Sequence, residues 1–77
     1  MTPAQCRAAR ALLDWTQSTL ADAAGVGLST VVDFEKERRA VSDAARDAIE
    51  AALIAGGVIF VAENGEGEGV RRKKTRH

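Results

Sequence analysis

The chain is poor in the residue types on which most enzymes and metal proteins depend. It has one histidine, His77 at the last position, and one cysteine, Cys6. No Cys/His cluster, no Ser/His/Asp set and no Gly-rich phosphate loop after a strand can be drawn, so neither catalysis, cofactor nor metal is expected. The run Gly65-Glu66-Gly67-Glu68-Gly69 is an acidic turn that would repel phosphate. A single cysteine cannot form an internal disulfide, which reads as a reducing cytoplasm, and Cys6 itself reads as a small buried apolar residue. Aromatics are scarce: Trp15, Phe34 and Phe60, with no tyrosine. No apolar run approaches the roughly 20 residues that cross a bilayer, and no secretory signal precedes the first helix. At 77 residues the chain is one domain with a small core.

Net charge is also lacking, but its distribution is uneven. Residues 1–57 hold six Lys/Arg against eight Asp/Glu. Residues 58–69 add Glu63, Glu66 and Glu68, and residues 70–77 add Arg71, Arg72, Lys73, Lys74 and Arg76. Attraction to a polyanion would therefore come from local patches and the tail.

What is present is a helical grammar. Thr2-Pro3-Ala4-Gln5 is a helix start, with Thr2 as N-cap, Pro3 in the first position and Gln5 closing a capping box. That helix runs to about Leu13, with Cys6, Ala9, Leu12 and Leu13 inward and Arg7 and Arg10 outward. Asp14-Trp15-Thr16 forms a turn in which Trp15 covers the seam between two helices, a core role favoured over ligand stacking. Thr16 caps the second helix. From Gln17 to Glu35, Leu20, Ala21, Ala24, Val31 and Phe34 fall on facing stripes, interrupted for about three residues around Gly25 to Gly27. That is two short helices joined by a tight turn, with Val26 in the angle between them. The small Ala21 and Ala24 allow close approach, and Gly25 suits a left-handed helix end. The third helix runs from about Leu28 to Lys36 and leaves Leu28, Ser29, Val32, Asp33 and Lys36 on its outer face.

The stretch LLDWTQSTLADAAGVGLSTVVDFEKERR resembles the phage-repressor (Cro/XRE) type of helix-turn-helix regulator. The matching elements are Thr16-Gln17, Leu20-Ala21, Ala24-Gly25-Val26, Thr30-Val31 and Phe34-Glu35. The resemblance covers about residues 3 to 55, and the tail is similar to a C-terminal segment of some short members, of the form GV-F-x-x-x-NG-x-G-x-GVR. It implies a cytoplasmic, bacterial regulator that binds double-stranded DNA. A glutamine at position 17 then contacts a DNA phosphate beside the exposed amides of a helix N-terminus, in preference to being merely solvated. Two positions depart from the pattern. Gly27 stands where Ser or Thr usually caps the recognition helix, and supplies no side-chain acceptor. Glu37 stands where a glycine usually ends that helix, so either the cap is poor or the helix runs on.

Within a DNA reading, the third helix enters the major groove. Leu28 and Val32 pack on thymine methyls, Ser29 donates or accepts, and Asp33 accepts from cytosine N4. Thr30 is half-buried or faces phosphate, and Lys36 lies on the outer face. Arg38 and Arg39 either contact phosphate or are solvated. No Arg, Asn or Gln is available for a bidentate base contact. The alternative is a protein-interaction module of antitoxin or antiactivator type, using the apolar Leu28 and Val32.

Ser42 caps a fourth helix to about Ala55, with Ala45, Ile49, Ala52 and Leu53 inward, and Gly56-Gly57 stops it. Residues 58–62, VIFVA, read as a strand that is apolar throughout. Asn64-Gly65 signals a turn, and residues 70–73 can pair back. A lone hairpin is marginal in water. The preferred cover is the same strand from a second chain together with the fourth helix, making Val58, Ile59, Phe60 and Val61 a homodimerisation element; the other possibility is an intrachain hairpin. The expected fold is thus mainly α: four to five short helices over residues 1–56, a β-strand or hairpin over 57–73, and a disordered basic tail over 74–77.

Overall fold

Six elements follow one another in the computed structural model, which describes residues 1–74. They are α1 (Pro3–Leu13), α2 (Gln17–Ala24), α3 (Leu28–Lys36), α4 (Asp43–Gly56), β1 (Val58–Val61) and β2 (Gly69–Arg72). Of the expected tail, residues 75–77 lie outside the described residues.

Helix limits follow the capping chemistry. The Gln5 amide donates to Thr2 Oγ1 at 3.1 Å while Gln5 Oε1 accepts from the Thr2 amide at 2.8 Å, closing the capping box. Thr16 Oγ1 accepts from the Thr19 amide at 3.0 Å and Ser42 Oγ from Ala45 at 3.1 Å, so each hydroxyl satisfies an otherwise unpaired helix donor. Gly27 begins α3 with no side-chain cap. Gly25 ends α2 at φ 68°, where the absence of a Cβ removes the cost of the left-handed turn. Glu37 ends α3 at φ 55°, so the poor cap is accepted and the helix does not run on. That conformation costs an L-residue about 1–2 kcal/mol.

The turn between α2 and α3 packs as a helix-turn-helix. Leu20, Ala21, Val31 and Phe34 are buried, Ala24 is half-buried, and Val26 packs on the core from the angle between the helices. Cys6 and Ala9 from α1, Ile49, Ala52 and Leu53 from α4, and Val58 from β1 complete one core. Ala45 is only half-buried. Trp15 lies at the end of α4, where a Cβ on Gly56 would come within 2.7 Å of its ring. The indole thus closes the core over the last turn of α4.

Two expectations for α1 are corrected. Leu12 is exposed (37%) rather than inward, because the hairpin meets α1 at Gln5, two turns earlier on the same side. Arg10 is half-buried rather than outward, because a buried carboxylate on α3 lies opposite it. Arg7 is exposed as expected, yet its guanidinium donates to the Glu35 carbonyl.

The pairing of the last segment also differs from the preferred reading. β1 pairs antiparallel with β2 of its own chain, in the register Val58↔Arg72, Ile59↔Arg71, Phe60↔Val70 and Val61↔Gly69. Successive residues of a strand face opposite sides. Val58 is buried, and Phe60 and Val70 pack on the helical core, while Ile59 is turned outward, 49% exposed. The inner face is therefore covered by the chain's own helices. Gln5 fastens it: the side-chain oxygen that closes the α1 cap leaves Nε2 to donate to the Gly69 carbonyl at 2.9 Å and the Val61 carbonyl at 3.4 Å.

Candidate nucleic-acid interface

The outer side of α3 presents a surface of mixed chemistry. Leu28 is 47% exposed, Ser29 and Lys36 are exposed, and Thr30 and Val32 are half-buried. The first amides of α3 carry no capping side chain. Asp33 and Arg39, both candidates from the sequence, are brought together: Arg39 Nε donates to Asp33 Oδ2 at 2.7 Å. Arg38 is exposed, and its backbone amide donates to the Asp33 carbonyl at 3.0 Å.

Behind this surface lies a polar cluster that the sequence reading did not foresee. Glu35 is 2% exposed although it carries a carboxylate. Arg10 binds it bidentately, Nε to Oε2 at 2.6 Å and Nη2 to Oε1 at 2.8 Å. Cys6 Sγ donates to Oε2 at 3.2 Å and Gln17 Nε2 to Oε1 at 3.1 Å. Arg10 also reaches the Trp15 carbonyl through Nη1 at 3.1 Å. One carboxylate thus ties α1, the α1–α2 turn, the first turn of α2 and the end of α3 together. The fork geometry of arginine suits such a bidentate site, and a buried carboxylate requires this degree of satisfaction.

The cluster sets three protonation states. Burial raises the Glu35 carboxyl, but the hydrogen bonds from Arg10, Cys6 and Gln17 and the Arg10 charge outweigh it and hold Glu35 below the usual carboxylate range. Burial, reinforced by the neighbouring carboxylate, pushes the Cys6 thiol far up, so it is a neutral donor and not a reactive thiolate. The hydrogen bond to Glu35 raises Arg10, against the opposing effect of burial.

Gln17, expected at a phosphate, is half-buried with its amide nitrogen directed to Glu35. It sits in the first turn of α2 beside the amides of that helix end, so the cluster fixes its orientation. Glu35 did stand among the matched elements of the pattern. A glutamate following the buried Phe34 was the available signal that a cation had to meet it. Among the described residues no group of His, Cys, Asp or Glu is arranged to hold a metal ion, and no helix is long and apolar enough to cross a membrane.

Compared with known families, residues 7–53 match the helix-turn-helix family model, a span running from the first turns of α1 to near the end of α4. The hairpin lies beyond the matched span. A search of curated proteins gives no match.

Proposed function

The chain belongs to the Cro/C1-type helix-turn-helix family, and from that premise we propose that it regulates transcription as a homodimer bound to an inverted-repeat operator in double-stranded DNA. The observation that carries the reading is the exposed outer face of α3, set against a rigid α1–α2 support. In this arrangement α3 enters the major groove. Leu28 and Val32 offer apolar contact to thymine methyls and Ser29 a hydrogen bond to a base edge. Gln17, Thr30, Lys36, Arg38 and Arg39 lie along the flanks, where phosphates run.

The second copy is proposed to join at the hairpin. Val58 is taken up by the core of its own chain, and Phe60 packs there too. That leaves Ile59, 49% exposed, and the half-buried Val61 as the apolar groups of β1 that a partner would cover. Each strand of a two-stranded sheet also keeps one edge unpaired, which a second copy can extend. Ile59→Lys is expected to shift the chain from dimer to monomer in sedimentation without unfolding it. A dimer that survives this substitution places the interface elsewhere.

Leu28, with nearly half its surface exposed, also suits an apolar protein partner. Retention on immobilised random-sequence duplex, measured against salt, separates the two readings. A DNA binder loses affinity steeply as counterions compete for the phosphates, whereas apolar association does not. No retention at low salt would remove the DNA reading.

A further inference from the structure

Asp33 and Arg39 are six residues apart, and two features of the backbone bring them together. Glu37, in the left-handed conformation, reverses the chain at the end of α3. The Arg38 amide then donates back to the Asp33 carbonyl at 3.0 Å, and Arg39 Nε meets Asp33 Oδ2 at 2.7 Å. Asp33 therefore anchors the loop twice, once by its main chain and once by its side chain. The two side chains are unequally exposed: 19% for Asp33 and 53% for Arg39. The carboxylate is turned toward the protein and the guanidinium toward solvent. Arg39 Nη1 makes only a long contact, 3.5 Å, with the Ala40 carbonyl, and Nη2 has no hydrogen-bond partner among the described residues.

We infer that Asp33 is a positioning residue for Arg39, holding its guanidinium over the last turn of α3 so that the outward N–H groups meet a DNA phosphate. The inference rests on the DNA-binding reading above and changes the role assigned to Asp33 within it. A carboxylate already bound to a guanidinium is a poor acceptor for the neutral amino group of cytosine, because the charge-assisted bond would have to be given up for a weaker one. An unpaired carboxylate on the outer face of α3 would also be repelled by the phosphates. Paired to Arg39, its charge is compensated where the DNA approaches. A pre-set arginine loses less rotamer freedom on binding than a free one, so the phosphate contact is stronger for the same hydrogen bonds.

The test uses the full chain and a duplex selected by the wild-type protein from a random-sequence pool, with a shuffled duplex of the same composition beside it. Asp33→Ala is expected to weaken binding to both duplexes by the same factor, about five-fold. Arg39→Ala, which removes the cation itself, should lower the slope of log affinity against log salt by about one phosphate contact. Selection repeated with Asp33→Ala should return the same preferred sequence. In an Arg39→Ala background, Asp33→Ala should cause no further loss and should recover some affinity, because the carboxylate left unpaired there is repelled by the phosphates. Asp33→Asn, which keeps an acceptor oxygen without the charge, should retain part of the wild-type affinity. A changed base preference at a fixed position of each half-site would overturn the inference and make Asp33 a reader. Additive losses in the double variant would overturn it as well. If the wild-type chain enriches no sequence and shows no salt-dependent binding, the DNA-binding reading fails, and the inference with it.

Discussion

Two carboxylates two residues apart on α3 form ion pairs of nearly the same length and very different surroundings. Glu35 meets Arg10 at 2.6 Å with its side chain 1% exposed, and Asp33 meets Arg39 at 2.7 Å with its side chain 19% exposed and its partner 53% exposed. The chemistry of the two contacts is alike, so their consequences are separated by solvent. Around Glu35 water is excluded, and every partner lost leaves a charge or a polar group unsatisfied in the interior. Around Asp33 water and salt compete with the contact, and such pairs are worth little to stability. The inner pair fixes how the helices sit. The outer pair faces solvent at the end of α3.

The largest effect is expected from breaking the inner pair. Glu35→Gln leaves the Arg10 guanidinium facing a neutral amide and should cost about 3 kcal/mol in chemical denaturation. A loss near that expected for the outer pair would erase the distinction. Replacing both partners with apolar residues of similar volume, Arg10→Met with Glu35→Leu, should recover most of the loss, since no buried charge then remains.

Acid offers the same comparison without mutation. Glu35 is held below its ordinary value in the folded chain, so the unfolded chain takes up the proton first as pH falls. The contribution is complete above the unfolded carboxyl value, near 4.5, and is lost as pH falls toward the folded value. Denaturation midpoints should therefore drop below about pH 4.5 in the wild type. The drop should be shallower in Glu35→Gln. Equal slopes would show that other carboxylates carry the acid sensitivity.

Glu37 lies between Asp33 and Arg39 along the chain and is strained at φ 55°. Glu37→Gly should relieve that strain and stabilise the fold by about 0.5–1 kcal/mol, the gain being offset in part by the greater freedom of glycine in the unfolded chain. A loss of stability on this substitution would mean that the Glu37 side chain contributes more than its backbone costs. The smallest change in stability is expected from Asp33→Ala, within about 0.5 kcal/mol by thermal denaturation. Its roughly five-fold effect on DNA affinity corresponds to about 1 kcal/mol, at least about twice the change in stability, which is the behaviour that sets the outer pair apart.

The starts of α1, α2 and α4 were legible because each carries a hydroxyl cap, and the ends of α2 and α4 because a glycine tolerates the left-handed turn; α3, between the capless Gly27 and the strained Glu37, has neither signal. Thr2, Thr16, Ser42 and Gly25 needed only their neighbours to be read. The stripe Leu20, Ala21, Val31 and Phe34 was legible for the same reason, since helical periodicity is local. Arg10 was placed on the wrong side because an arginine at the margin of an apolar stripe is assigned to solvent by default. Its partner lies 25 residues away, and no local pattern joins them. Gln5 was read as a capping residue, which it is, while its second role depends on the hairpin arriving over α1. The apolar segment 58–62 announced a strand but not its partner, because a run of β-branched residues pairs as readily within a chain as between chains. On the candidate interface, Leu28, Ser29 and Lys36 were legible as outward positions, whereas the Asp33–Arg39 contact depends on the turn at Glu37.

The central claim, two α3 helices meeting one face of a duplex, is tested most directly by footprinting the full chain on an inverted repeat whose half-sites are moved apart. With half-site centres about one helical turn apart, roughly 10 base pairs, both helices reach the major groove together. Insertion of about five base pairs turns one half-site to the opposite face of the DNA. The expected result is strong protection of the intact repeat and a large loss of affinity after the half-turn insertion, to the level of a single half-site. Unchanged affinity and protection across the spacer series would contradict the claim.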